Sequence, residues 1–187
     1  VRKVLSRAFP SHNLLMEEKL DRKQGSEYTW VVDPLDGTTN FTHHYPMYTV
    51  SVGLAKGTEP IVGVVYNAPM GELFTAVKGK GAFLNGKRIR VSRAKTLDHS
   101  LLATGFPYKD TRCGRKTVRG IGRLWQRVQG IRRSGVASID ICYVACGRLD
   151  AYWEYKLSPW DVAAGQIIVR EAGGKATDFR NKDLTAF

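Results

Sequence analysis

The chain has 187 residues, with 29 lysines and arginines against 17 acids and a net charge of +12. That length allows one large domain or two small ones around a substantial core, and a chain 43% hydrophobic and 25% charged has an ordinary globular composition. No apolar run approaches a membrane span and no signal-peptide pattern is visible, so a membrane role is not expected; the basic excess suits an anionic partner, either a phosphorylated metabolite or a nucleic acid.

Val1, Val4, Leu5 and Ala8 have helical spacing, and Phe9-Pro10 ends that helix. Residues 13–16 form a short apolar strand closed by Glu17 and Glu18, and 19–27 is a polar loop. Tyr28, Trp30, Val31 and Val32 favour an extended, part-buried backbone. This second strand is expected to break at Asp33-Pro34, where proline fixes φ and pushes Asp33 out of the α region. Two carboxylates, Asp33 and Asp36, then stand at the strand's end. Gly37 permits a sharp turn, and one of Thr38, Thr39 or Asn40 could cap a new helix.

An Asp-Gly turn is a common strand ending in its own right. Here the acids sit at the carboxyl end of an apolar strand, where α/β proteins place ligands. Two carboxylates held close repel unless a cation lies between them. Hard oxygen ligands suit magnesium or manganese rather than zinc. Exposed amides after Gly37 suit an anion if a helix starts there. Metal and anion together point to a phosphate ester.

His43 and His44 are adjacent, so on an extended backbone they point apart and are expected as surface residues. Period-two alternation over 47–55 predicts a half-buried strand. Strands follow at 60–66 and 72–77, and Asn85-Gly86 joins 82–84 to 88–91 as a hairpin. This antiparallel meander reads as scaffold. Composition shifts near 92–95, which sets the expected halves at 1–95 and 96–187.

In the second half, 101–105 reads as a strand and 115–129 as a basic helix. Lys109, Arg112, Arg115, Lys116, Arg119, Arg123, Arg127, Arg132 and Arg133 make one basic tract, several of them three or four apart on one helix face. Tyr108 and Trp125 are its only aromatics, too few for a base-stacking platform. Residues 130–133 are expected extended and 136–146 helical, ending at Gly147. Cys142 and Cys146 then share a face as small core residues. With Cys113 they make an odd number, which argues against a disulfide framework and for a reducing, cytoplasmic setting. A strand over 150–154 ends in Glu154. Ser158-Pro159-Trp160-Asp161 opens an amphipathic helix, where Asp161 suits the first turn, and 175–178 is expected as a last strand.

Asp33-Pro34-Leu35-Asp36-Gly37-Thr38-Thr39-Asn40-Phe41 resembles the first signature of the inositol monophosphatase family. Trp160-Asp161-Val162-Ala163-Ala164-Gly165, with Glu171-Ala172-Gly173-Gly174, resembles its second. The resemblance implies an α/β (α+β) fold, a layered α-β-α-β-α sandwich whose antiparallel meander precedes a smaller mixed α/β half. It implies a magnesium-dependent phosphomonoesterase, with manganese as substitute, that is lithium-sensitive, cytoplasmic and a homodimer. Glu17, Asp33, Asp36, Asp161 and the Leu35 carbonyl would hold metal, and Glu17, Thr38 and Asp36 would be catalytic. The amides of Gly37 and Thr38 would hold phosphate; Asp36, Ala137, Glu154 and Asp161 would contact substrate. Met16 stands where the family has Gly, and Val136 where it has Ser or Thr, so Val136 offers no hydroxyl. The same scaffold also carries fructose 1,6-bisphosphatases and nucleotide (NADP or PAP) phosphatases. A nucleic-acid-associated regulatory protein using the basic tract is the reading from a different class. By the family pattern, a helical hairpin is expected before residue 1, and a strand and helix after residue 187.

Overall fold

The structure, a computed structural model, describes residues 1–18, 21–107 and 110–187. Lys19, in the expected 19–27 loop, and Tyr108 and Lys109, at the head of the basic tract, lie outside the described residues.

The meander forms as its alternation dictates. Strands β1 (Asn13–Met16), β2 (Tyr28–Asp36), β3 (Thr49–Lys56), β4 (Glu59–Asn67), β5 (Glu72–Val77), β6 (Gly81–Leu84) and β7 (Lys87–Ile89) lie in that order in one sheet. Only β1 and β2 are parallel; every later pair is antiparallel. Alternate residues of β3 are buried along its length, the signature of a strand with one covered face.

Ladder register puts Gly53, Gly63, Ala76 and Ala82 side by side in a row across four strands. Helix α5 (Pro159–Glu171) lies on that row. A Cβ on Gly63 would stand 2.4 Å from the Ala164 carbonyl oxygen, so this close approach needs glycine. Val65, Phe74, Ile139, Ile167 and Ile168 fill the core between the sheet and helices α4 (Ala137–Ala145) and α5. On the sheet's other face, Leu5 of helix α1 (Arg2–Ala8) packs with Leu14, Met16, Trp30 and Val32.

A second sheet holds β8 (Leu101–Thr104) between β9 (Gly130–Arg132) and β10 (Ala151–Trp153), all parallel. Helix α3 (Thr111–Leu124) packs against it where Gly120 faces the Trp153 indole. The order α1, first sheet, α4 with α5, second sheet, α3 is the five-layer sandwich expected from the sequence.

Three local expectations change. The basic helix starts at Thr111, not 115, because the Asp110 side chain accepts from the Cys113 amide at 2.8 Å and caps it there. Residues 175–178 make an isolated bridge, Thr177 to Asp183, instead of a strand. Asp178 Oδ1 accepts from the Arg180 and Lys182 amides and curls the chain into a turn. β2 does not break at Pro34 but runs on to Asp36 through a bulge.

Candidate metal centre

That bulge assembles the site. Asp33 pairs with Ser51 and Asp36 with Thr49, so three steps along β2 match two along β3. In a regular strand, residues three apart face opposite sides. The extra residue cancels the flip and turns both carboxylates to the α4–α5 face. Pro34, with no N–H to give the ladder, sits inside the bulge. Glu17 follows β1 and its amide donates to the Val32 carbonyl at 3.3 Å, beside Asp33. Asp161 comes from the first turn of α5, where Oδ2 accepts from the Ser158 amide at 2.6 Å. The acid therefore caps its helix and still lines the cleft.

Glu17, Asp33, Leu35, Asp36, Gly37, Thr38, Thr39, Gly135 and Asp161 surround one cleft of about 260 Å³. Burial, then the charges of Asp36 and Glu17, push Asp33 up to about 8. Burial pushes Asp161 up to about 7, and Asp36, Glu17 and Glu154 add to the rise. Asp36 is also raised by burial, against the pull of the Ser138 hydroxyl and amide. Asp33, Asp36 and Asp161 are each made harder to ionise by burial and then by the acids around them, a charge pattern that a cation relieves.

The turn after Asp36 is built for close contact. Gly37 has φ +93°, and a Cβ there would stand 2.8 Å from Val136 Cγ2. No side chain caps the five-residue helix α2 (Thr38–Thr42). Thr38 Oγ1 donates to the Leu35 carbonyl at 3.0 Å. Asn40 is buried, and its Nδ2 donates to the Met47 and Ser134 carbonyls at 2.8 and 2.9 Å. It clamps the turn to the 134–136 segment, so that Gly135 closes one side of the cleft.

Sequence reasoning missed the residues that hold these ligands. Ser138 donates both its amide (2.8 Å) and its hydroxyl (2.7 Å) to Asp36 Oδ2, and its hydroxyl lies 2.6 Å from Thr49 Oγ1. Ser134 Oγ donates to Asp140 Oδ2 at 2.7 Å; burial pushes Asp140 up to about 7. The Ser138–Asp36 contact spans 102 residues, so no local motif announces it.

Ala137 and Glu154 are not among the residues lining the cleft. Ala137 opens α4. Glu154 packs against Gly105 and accepts the Tyr152 hydroxyl at Oε2; burial raises it, and it feels the charges of Arg133 and Asp36. His43 and His44 are exposed, as expected.

The donor set of four carboxylates and one backbone carbonyl fits a hard divalent cation. Among the described residues, no group of three His, Cys, Asp or Glu side chains stands arranged to hold an ion as placed. The charges of Asp36 and Glu17, which raise both Asp33 and Asp161, favour a cation among them.

A five-layer sandwich with acids gathered at the end of β2 and the start of α5 defines a class of layered α/β proteins built around an acidic cleft. Within that class the chain belongs to the inositol monophosphatase family, whose model matches residues 1–186. The chain is 49% identical over 172 residues to "Inositol-1-monophosphatase" of Synechocystis sp., covering 91% of this chain and 60% of that protein. It is 43% identical over 176 residues to "Nus factor SuhB" of Escherichia coli, covering 94% and 66%. The solved inositol monophosphatase of Anabaena (Nostoc) sp. superposes with a TM-score of 0.90 at 43% identity, over 98% of this chain and 73% of that one. The chain spans 60 to 72% of the length of the first curated relatives it matches.

Proposed function

We propose that this protein is a metal-dependent phosphomonoesterase acting on inositol monophosphate or a related polyol or sugar phosphate. The observation that carries the reading is the bulge in β2, which turns Asp33 and Asp36 to one face beside Glu17 and Asp161. The family match supports the phosphatase class. Magnesium, with manganese as substitute, is the cation this donor set suits.

Glu17, Asp33, Asp36, Asp161 and the Leu35 carbonyl would hold the metal. When bound, it would polarise the phosphoryl oxygens, lower the pKa of water and stabilise the leaving alkoxide. Thr38 spends its one hydroxyl proton on the Leu35 carbonyl, so its oxygen is left to accept a water proton. Thr38 and Glu17 together would orient that water for in-line attack, without a covalent phospho-enzyme. The Gly37 and Thr38 amides would hold the phosphate, and Asp36, Ala137, Glu154 and Asp161 would meet the alcohol moiety. A homodimer belongs to the same reading and is checked by sedimentation. No helix among the described residues is long and apolar enough to cross a membrane.

A phosphate-release panel with magnesium tests the substrate. It compares inositol monophosphates, fructose 1,6-bisphosphate and nucleotide phosphates (NADP and PAP). Preference for inositol monophosphate supports the reading; preference for a later group moves the protein to another activity on this scaffold.

A second reading rests on α3, where Arg112, Arg115, Lys116, Arg119 and Arg123 are all exposed. One matched relative is named a Nus factor. Salt-sensitive RNA binding that survives Asp36→Asn would favour a nucleic-acid role; no RNA binding at low salt would end it.

A further inference from the structure

Thr49, Ser138 and Asp36 come from three elements, β3, α4 and the end of β2, and all three are buried. Asp36 and Thr49 stand opposite each other across the β2–β3 ladder, just past the bulge. Ser138 reaches both from the first turn of α4. Three distances define the group: Thr49 Oγ1 to Ser138 Oγ 2.6 Å, Ser138 Oγ to Asp36 Oδ2 2.7 Å, and Ser138 N to Asp36 Oδ2 2.8 Å.

The direction of the chain follows from proton counting. An ionised carboxylate only accepts, and a serine hydroxyl has one proton to give. Ser138 gives that proton to Asp36, so Thr49 must donate to Ser138. A hydroxyl that accepts one hydrogen bond becomes a stronger donor in the next. Asp36 Oδ2 thus receives two donors from one residue, an amide and a polarised hydroxyl, at a fixed angle. A carboxylate gripped in this way cannot rotate freely about its terminal torsion.

We propose that Ser138, backed by Thr49, is a positioning residue that presents Asp36 to the catalytic metal. The inference rests on the reading of Asp36 as a metal ligand. Its supporting residues, Ser138 and Thr49, lie outside the acidic motif: Ser138 is 102 positions from Asp36 and is not among the residues lining the cleft. The bland alternative is that Ser138 is a satisfied polar residue at a helix start, with no effect on the metal.

Metal affinity separates the two. Manganese binding, followed by the electron paramagnetic resonance of free Mn2+, is measured on the unmodified protein, Ser138→Ala, Thr49→Val, Thr49→Ser and the Ser138→Ala/Thr49→Val double variant. Circular dichroism in chelator confirms that each is folded. Ser138→Ala is expected to weaken Mn2+ binding about tenfold to a hundredfold, the usual cost of losing an outer partner of a ligand. Thr49→Val, which keeps the shape but loses the hydroxyl, weakens it in the same direction by less. Thr49→Ser keeps the chain of donors and binds as the unmodified protein does. The double variant is no weaker than Ser138→Ala alone, because Thr49 acts through Ser138. Unchanged Mn2+ affinity in Ser138→Ala would overturn the inference while leaving the metal reading in place. Failure of the unmodified protein to bind Mn2+ would overturn both.

Discussion

Asp33 and Asp161 are pushed up to about 8 and about 7 by burial and by the acids around them. Both values lie above the 3.8 of an unfolded aspartate. The folded state therefore binds more protons than the unfolded state between these limits, and stability falls as pH rises through that window. Metal-free protein is expected to melt at a higher temperature at pH 5 than at pH 8. Saturating magnesium at pH 8 should restore most of the difference. A melting temperature that rises from pH 5 to pH 8 in chelator would contradict the picture. Glu154 carries a second prediction at this scale. Charge-assisted bonds to substrate hydroxyls are worth roughly 1.5–3 kcal/mol. Glu154→Gln, which keeps an acceptor for Tyr152, should reduce kcat/KM on polyol phosphates by about tenfold to a hundredfold. It should barely touch a simple aryl phosphate, whose leaving group has no hydroxyls to read. Equal losses on both would assign Glu154 to the fold. Asp33 and Asp36 stood out in the sequence because they share one short motif at a strand end, whereas Glu17 and Asp161 were expected only through the family resemblance. Ser138 and Thr49 did not stand out, since only the folded chain brings β3 and α4 together. Val136 was read for the hydroxyl it lacks; its place is against Gly37, where a Cβ would collide with it.

The elements set how precisely those residues are aimed. β2 read correctly as a strand from its aromatic and branched residues, yet the bulge through Pro34 did not. A proline inside a strand signals an interruption, and sequence alone does not separate a break from a bulge. The last expected strand, 175–178, failed because extended propensity needs a neighbouring strand, and Asp178 turns the chain instead. Helix α5 carries Asp161 and rests on glycines, so its height above the sheet controls the cleft. Gly63→Ala drives a Cβ to within 2.4 Å of the Ala164 carbonyl. It should cost about 3 kcal/mol, the upper end of overpacking penalties, and should weaken metal binding by shifting Asp161. Gly122→Ala is the control, in an exposed part of α3 with nothing within 4 Å. That change should stabilise by up to about 1 kcal/mol through helix propensity. Urea unfolding of both variants measures the contrast, and equal stabilities would refute the close packing of α5.

At the scale of the whole molecule, the five layers followed from the alternation of strands and helices together with the family resemblance. The overlap of the halves was less legible. α5 belongs to the second half in sequence but covers the sheet of the first, so the cleft takes Glu17, Asp33 and Asp36 from one half and Asp161 from the other. The chain carries a net charge of +12 although its cleft is lined by acids, a balance that suits the proposed anionic substrate and metal. Lithium at millimolar concentration should slow turnover in a way that added magnesium does not simply relieve. Full turnover in lithium would mean a remodelled centre.

The central claim is that the clustered acids work through a cation to release phosphate. Phosphate release from inositol monophosphate, titrated with magnesium for the unmodified protein and for Asp36→Asn, tests it most directly. The expected result is release that rises with magnesium, stops in chelator, and is nearly absent in Asp36→Asn although that variant remains folded by circular dichroism. Turnover that continues in excess chelator, or that survives Asp36→Asn at full magnesium, would contradict it.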